Sequence, residues 1–251
     1  MKHLKNNIRS ELIKNKRGIF FPIHVVAPIF AAALILEYFH VRQFSLQEQF
    51  VNYYVLMQAA FPFMISLVVN LIFKKEEENN FFNMLSAVNR ESAVLAKLLL
   101  LNGMGMMAEL ILMGLFEVIV GKGASIKCLI GIFSIVMFSN IIIYIFHSFL
   151  FLCLGNSINL LAGICETVMS MVFLTGLGDG IWKFMPFAMG ARGANVLYFI
   201  DQPYTKKIME LRMVLQNEIT PLPFIIVVEL ILAHLLFFGW VKRWEGRKTF
   251  E

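Results

Sequence analysis

The sequence predicts an all-α, polytopic membrane protein with about six transmembrane helices. Three observations carry this. Hydrophobic residues make up 59% of the 251 positions, and the mean hydropathy is +0.72. Only 16% of residues are charged, where a soluble domain has about a quarter. Apolar runs near the roughly 20 residues a bilayer requires recur along the chain. Twenty-five Phe and fifteen Met suit a lipid-facing surface with adaptable packing. Residues 1–251 therefore form a single transmembrane domain.

Residues 1–18 carry six Lys and Arg, with Leu4, Ile8 and Leu12 recurring every fourth position. That spacing predicts a basic amphipathic helix on an anionic membrane surface; a frayed basic tail is the alternative. Spans follow at about 18–39, 51–73, 95–120, 128–154, 160–177 and 223–241. Pro22 and Pro28 lie in the first and Pro62 in the second, as membrane helices tolerate when neighbours satisfy the freed carbonyls. The first run is longer than a signal peptide's apolar region and lacks a small-residue cleavage pattern. A polar stretch at 74–92 separates spans 2 and 3, a glycine-rich link at 121–127 joins spans 3 and 4, and 155–157 makes a tight hinge.

The formal charge is +5 and the pI about 9.1. Fourteen Lys and Arg flank one side of the spans, in the N-terminal tail, at Lys74, Lys75, Arg90 and Lys97, and in the C-terminal tail at Lys242, Arg243, Arg247 and Lys248. Eight flank the other, including Lys122, Arg192, Lys206 and Lys207. The positive-inside rule then makes both termini cytoplasmic. Trp182 on one side and Trp240 and Trp244 on the other fit interfacial aromatic belts. The basic charge thus serves orientation, and no nucleic-acid recognition motif is present. Cys128 and Cys153 sit about 37 Å apart along one span, too far to bridge, and with Cys165 they form no metal-ligand spacing.

Within 74–92, Phe81, Leu85 and Val88 fall at i, i+4 and i+7, predicting an amphipathic helix of about three turns. Glu76, Glu77 and Glu78 precede or begin it and favour the positive end of its dipole; Asn79 or Asn80 is the expected N-cap. Its Phe-Phe-Met-Leu face must be covered, either by the cleft of a soluble partner or by lipid. Beyond span 5, residues 178–222 form a long extracellular segment. Asp179 between two glycines favours a tight turn, and Pro186 breaks the apolar run that follows, as in a half-helix entering the outer leaflet. Ile208, Leu211 and Leu215 mark an amphipathic helix over 206–217, a surface for emerging substrate or a plain cap.

Four acids fall inside spans: Glu109, Glu117, Glu166 and Glu229, with His147 and His234. A charge at the bilayer centre costs on the order of 3 kcal/mol on insertion scales, so such groups face a cavity, pair, or become neutral. They are candidates, with Asp179 and Trp182, for a substrate path attracting a cationic amphipathic peptide, or else for structural hydrogen bonds between helices. No catalytic or metal-binding set is found: no P-loop, HExxH or GxSxG motif occurs, so the chain is not predicted to be an enzyme.

The pattern Glu76-x-Glu78-Asn79-x-Phe81-x-Asn83-x-Leu85-Ser86, followed by Arg90 and Lys97, resembles the coupling region of type-2 ABC exporter permeases, as do the six-span layout and the amphipathic N-terminus. The element Gly178-Asp179-Gly180-Ile181-Trp182, ending at Pro186-Phe187, is similar to the lantibiotic-immunity permeases of the MutG type. That family has Trp where this chain has Phe187, and Gly where it has Asn79. The resemblance implies a permease subunit that expels antimicrobial peptides from a bacterial plasma membrane. It implies as partners two copies of a separate ABC ATPase, which bind the ATP and Mg, a second permease, homologous or identical, a cationic peptide substrate, and membrane lipids. Glu76, Glu78, Asn79, Phe81, Phe82, Leu85 and Arg90 would form the ATPase coupling site. The alternatives are a proton-coupled secondary transporter using Glu109, Glu166 and His147, and a non-transporting membrane sensor or scaffold.

Overall fold

The computed structural model describes residues 2–87, 89–121, 123–202 and 206–247. Every regular element among them is a helix: α1 Lys2–Asn15, α2 Phe20–Arg42, α3 Leu46–Glu77, α4 Phe82–Leu85, α5 Arg90–Ile119, α6 Ile126–Leu154, α7 Asn156–Val172, α8 Pro186–Asp201, α9 Lys206–Ile219 and α10 Leu222–Val241, with single 3-10 turns at Gly176–Gly178 and Trp182–Phe184. The all-α polytopic expectation is therefore met. Five stretches are long and apolar enough to cross a membrane: Phe20–Arg42, Leu46–Glu77, Arg90–Ile119, Ile126–Leu154 and Arg212–Val241. The last takes in the turn at 220–221 between α9 and α10.

Helix ends follow from local chemistry. Ser45 and Glu48 form a capping box at the start of α3, two orphan donors satisfied reciprocally. Asn89 and Ser125 cap α5 and α6 by accepting from Ser92 N and Cys128 N. Gly155, at φ +89, is the single residue between α6 and α7, a left-handed position that a Cβ would strain. Pro186 does not interrupt a helix as expected; it opens α8 at N1, where its missing N–H costs nothing.

The fifth expected span, 160–177, differs most from its prediction. It lies at Asn156–Val172, about 26 Å of helix, whereas α3 with 32 residues is about 48 Å long. The chain leaves α7 through turns rather than continuing to 177. α8 then rises antiparallel beside α6: Val136 faces Gly190, Ile135 faces Gly193, and Leu197 faces Gly131. Ser125, at the start of α6, donates from its backbone N to Asp201 at 2.7 Å. A segment expected to lie outside the bundle thus packs on α3 and α6 and buries Ala188, Met189 and Val196 in a second cluster with Trp182, Leu222 and Ile226.

Two groups of helices emerge. α5 packs chiefly on α1 and α2, while α3 packs chiefly on α7, α8 and α6, and α10 leans on α6. Small residues permit close crossings in the second group: a Cβ at Gly163 of α7 would lie 2.6 Å from Ser66 Cβ and 3.1 Å from Pro62 O. Close backbone approach of this kind is how helices associate where lipid is as apolar as leucine. Between the groups lies an almost wholly apolar cavity of about 160 Å³, lined by α2, α3, α5 and Tyr144 of α6.

Three surface expectations change. The inward face of α1 is Ile8, Glu11 and Asn15, and Leu12 turns outward. α1 docks on α5 through a polar stripe and leaves Leu12 and Ile13 on its outer side. Trp182 is fully buried among Ala188, Met189, Leu222 and Ile226, and Trp244 is buried against Phe81. Neither indole is therefore free at an interface. Lys122 and Lys248, used in the charge count, lie outside the described residues.

Candidate coupling site

The segment between α3 and α5 is a tight turn around one helical turn, not a three-turn helix. Glu76 and Glu77 complete α3 rather than opening the next helix. Asn80 and Phe81 then take φ of 50 and 57. Asn tolerates the left-handed region; a bulky Phe does so only under tertiary constraint. Phe81, not Asn79 or Asn80, is the N-cap of α4, and Asn79 turns back to donate to Lys75 O at 2.9 Å. Val88 lies outside the described residues.

This reversal separates two adjacent phenylalanines. Phe81 is buried, its ring 5.1 Å from that of Trp244. Phe82 is 69% exposed at the tip, with exposed Glu78, Asn79, Asn80, Asn83 and Ser86 around it. Of the seven residues predicted for the site, Glu78, Asn79 and Phe82 are exposed, Leu85 and Arg90 are half-buried, and Glu76 and Phe81 are buried.

Beneath the turn lies a four-member ionic cluster. Lys97, 1% exposed, contacts Glu11 at 2.7 Å and Glu76 at 2.9 Å. Lys14 contacts the same two carboxylates at 3.0 and 2.9 Å. Lys97 Nζ also lies 5.8 Å from the Phe73 ring, and Lys75 donates to Lys14 O and Asn15 Oδ1. Burial would depress the Lys14 amine, but its pairing with Glu76 and Glu11 prevails and raises it. The cluster joins α1, the last turn of α3 and the first turns of α5, which together straddle the exposed turn.

The opposite flank is held by the tail after α10. Arg90 Nη1 donates to Trp244 O at 2.7 Å. Arg247 pairs with Glu77 and donates to Phe151 O at 3.3 Å. Sequence reasoning named Glu76, Arg90 and Lys97 but missed their partners Glu11 and Lys14 on one flank and Trp244 and Arg247 on the other. One signal was present: Glu11 is the only acid in an otherwise basic N-terminal tail. No periodicity marks Trp244 or Arg247.

The intramembrane acids do not converge. Glu109 accepts from Gln58 Nε2 at 2.7 Å between α5 and α3. Glu166 meets His147 Nε2 at 3.1 Å between α7 and α6, and Glu117 and Glu229 are half-buried on α5 and α10. His147 Nδ1 lies 2.7 Å from Asn159 Oδ1, while Asn159 Nδ2 donates to Ser66 O and Asn70 Oδ1. Since a carbonyl only accepts, Asn159 must turn its own oxygen to His147, and His147 Nδ1 carries the proton. Asp179 pairs with Arg192, whose Nη1 caps the exit of α7 through Phe173 O and Thr175 O. Trp182 Nε1 donates to Glu218 at 3.2 Å. The described residues contain no cluster of His, Cys, Asp and Glu able to hold a metal ion.

The chain is a helical membrane bundle with a braced, exposed turn between its second and third spans. The family described as ABC-2 family transporter protein matches residues 7–178, more than half of the chain, and the chain belongs to that family. It is a multi-pass membrane permease of the ABC class, whose members work as dimers with an ABC ATPase. No curated protein matches the chain, and no solved structure does.

Proposed function

We propose that this chain is the permease subunit of a bacterial exporter that expels cationic amphipathic peptides of the lantibiotic kind. Two copies of a separate ATPase bind ATP and Mg, both termini face the cytoplasm, and the second permease is homologous or identical. The carrying observation is Phe82, a large apolar side chain left exposed at the tip of a turn whose two flanks are braced. An aromatic anchor ringed by polar groups suits the cleft of a soluble partner. Glu78 and Asn79 would line that contact, and Glu76, Phe81, Leu85 and Arg90 would hold the turn in shape.

Phe82→Asp is expected to abolish copurification of the ATPase while the permease itself melts as the wild type does, since the side chain is exposed. Retained copurification would refute the docking role.

The peptide class is supported by the likeness of the 178–187 element to immunity permeases and by two acids. Glu109 and Glu229 each keep one buried carboxylate oxygen with no hydrogen-bond partner among the described residues. Such oxygens can receive a lysine or N-terminal ammonium in passage. Replacing both with Gln is expected to lower protection against a cationic lanthionine peptide by about tenfold, the effect of losing roughly 1.4 kcal/mol. Unchanged protection in a growth-inhibition assay would remove these acids from the path.

A further inference from the structure

We propose that Arg247 is a positioning residue that fastens the coupling turn to the α6–α7 junction, so that a push at Phe82 reaches α6 and α7 directly and not only through α3 and α5. The inference rests on the reading of Phe82 as the ATPase contact. Four observations meet at one guanidinium. It pairs with Glu77 at the root of the turn. It donates to Phe151 O in the last turn of α6, where a cation complements the helix dipole. It lies 5.9 Å from the Phe81 ring and 6.0 Å from the Phe151 ring. It also occupies the space above Gly155, where a Cβ would strike its Nη1. The one residue joining α6 to α7 is thus shaped around this side chain.

Arginine alone fits this position. Its planar fork serves a carboxylate and a carbonyl at once while its faces lie near aromatic rings; a lysine is a point charge. On the other side of the turn, Lys97 of α5 pairs with Glu76. The two arms end on different helices, α5 on one side and the α6–α7 junction on the other. With Arg247 in place α6 and α7 follow the turn through this contact; without it the turn keeps only its continuity with α3 and its tie to α5.

The test uses the permease–ATPase complex in lipid nanodiscs, with Cys128, Cys153 and Cys165 replaced by Ser. A single reporter cysteine is placed either at Ile126, at the outer end of α6, or at Val41, at the outer end of α2; both are exposed. Maleimide labelling rates are compared with ADP and with ATP plus vanadate. Arg247→Gln is expected to reduce the nucleotide-dependent change at Ile126 on the order of fivefold and to leave that at Val41 in place, with Arg247→Lys intermediate. Equal loss, or equal retention, at both reporters would overturn the assignment and assign Arg247 a merely structural role. If Phe82→Asp complexes still form and still show both changes, the docking reading fails, and that result is distinct from failure of the Arg247 arm.

Discussion

Lys97→Met is expected to unfold or strip α1 from the bundle, with a loss of about 3–5 kcal/mol. The substitution preserves most of the volume and removes the one fully enclosed lysine or arginine among the described residues. Glu11 and Glu76 are then left buried, with only the half-exposed Lys14 between them. An uncompensated buried carboxylate costs far more than a missing hydrogen bond. The melting midpoint of the purified permease should fall by about 10 °C. Combining Lys97→Met with Glu76→Gln should recover part of that loss, because one stranded charge disappears. A melting curve within error of wild type for the single variant would show that the cluster does not hold α1 in place.

Lys14 sets the alkaline side of the same cluster. Its pKa is higher folded than the ordinary lysine value of 10.5. Its contribution is therefore complete below that value and is lost only as pH rises through the raised one. Across neutral pH the clamp stays closed.

Asn159→Leu carries the second large effect. Asn159 is fully buried where α3, α6 and α7 meet. Its amide serves His147, Asn70 and the Ser66 carbonyl together. Leucine fills the space and satisfies none of them. Each stranded group costs roughly 1–3 kcal/mol, so a loss of about 3 kcal/mol or more is expected. Cys165→Leu on the exposed side of α7 supplies the control and should melt as the wild type does. Equal melting of the two variants would mean that the polar knot does not hold α7.

Much of the fold was legible in the sequence because long apolar runs carry it. The start of α10 at Leu222 was read within one residue, whereas the span placed from 51 missed the first turn of α3, whose capping box at Ser45 is polar and lies outside the apolar run. α8 was not legible as a packed helix. Its run Ala188-Met189-Gly190-Ala191-Arg192-Gly193-Ala194 is too small and mixed to register as a span, yet small residues are what let it lie close to α3 and α6. The candidate site was legible in place but not in shape. Phe81 and Phe82 are chemically identical, and only the left-handed pair at Asn80 and Phe81 decides which faces inward. The charged clamp was hidden because its members sit at positions 11, 14, 76 and 97, with no local pattern linking them. Here tertiary contact overrides the helical period that 81, 85 and 88 suggested.

The cluster of Glu11, Lys14, Glu76 and Lys97 contains two cations and two anions and balances to zero. Raising the sodium chloride concentration at neutral pH should therefore leave α1 docked on α5, since counter-ions have little access to Lys97. The same balance shapes inheritance. A change at one of the four positions damages the subunit until a second change answers it, so across descendants of this sequence these positions should drift in pairs.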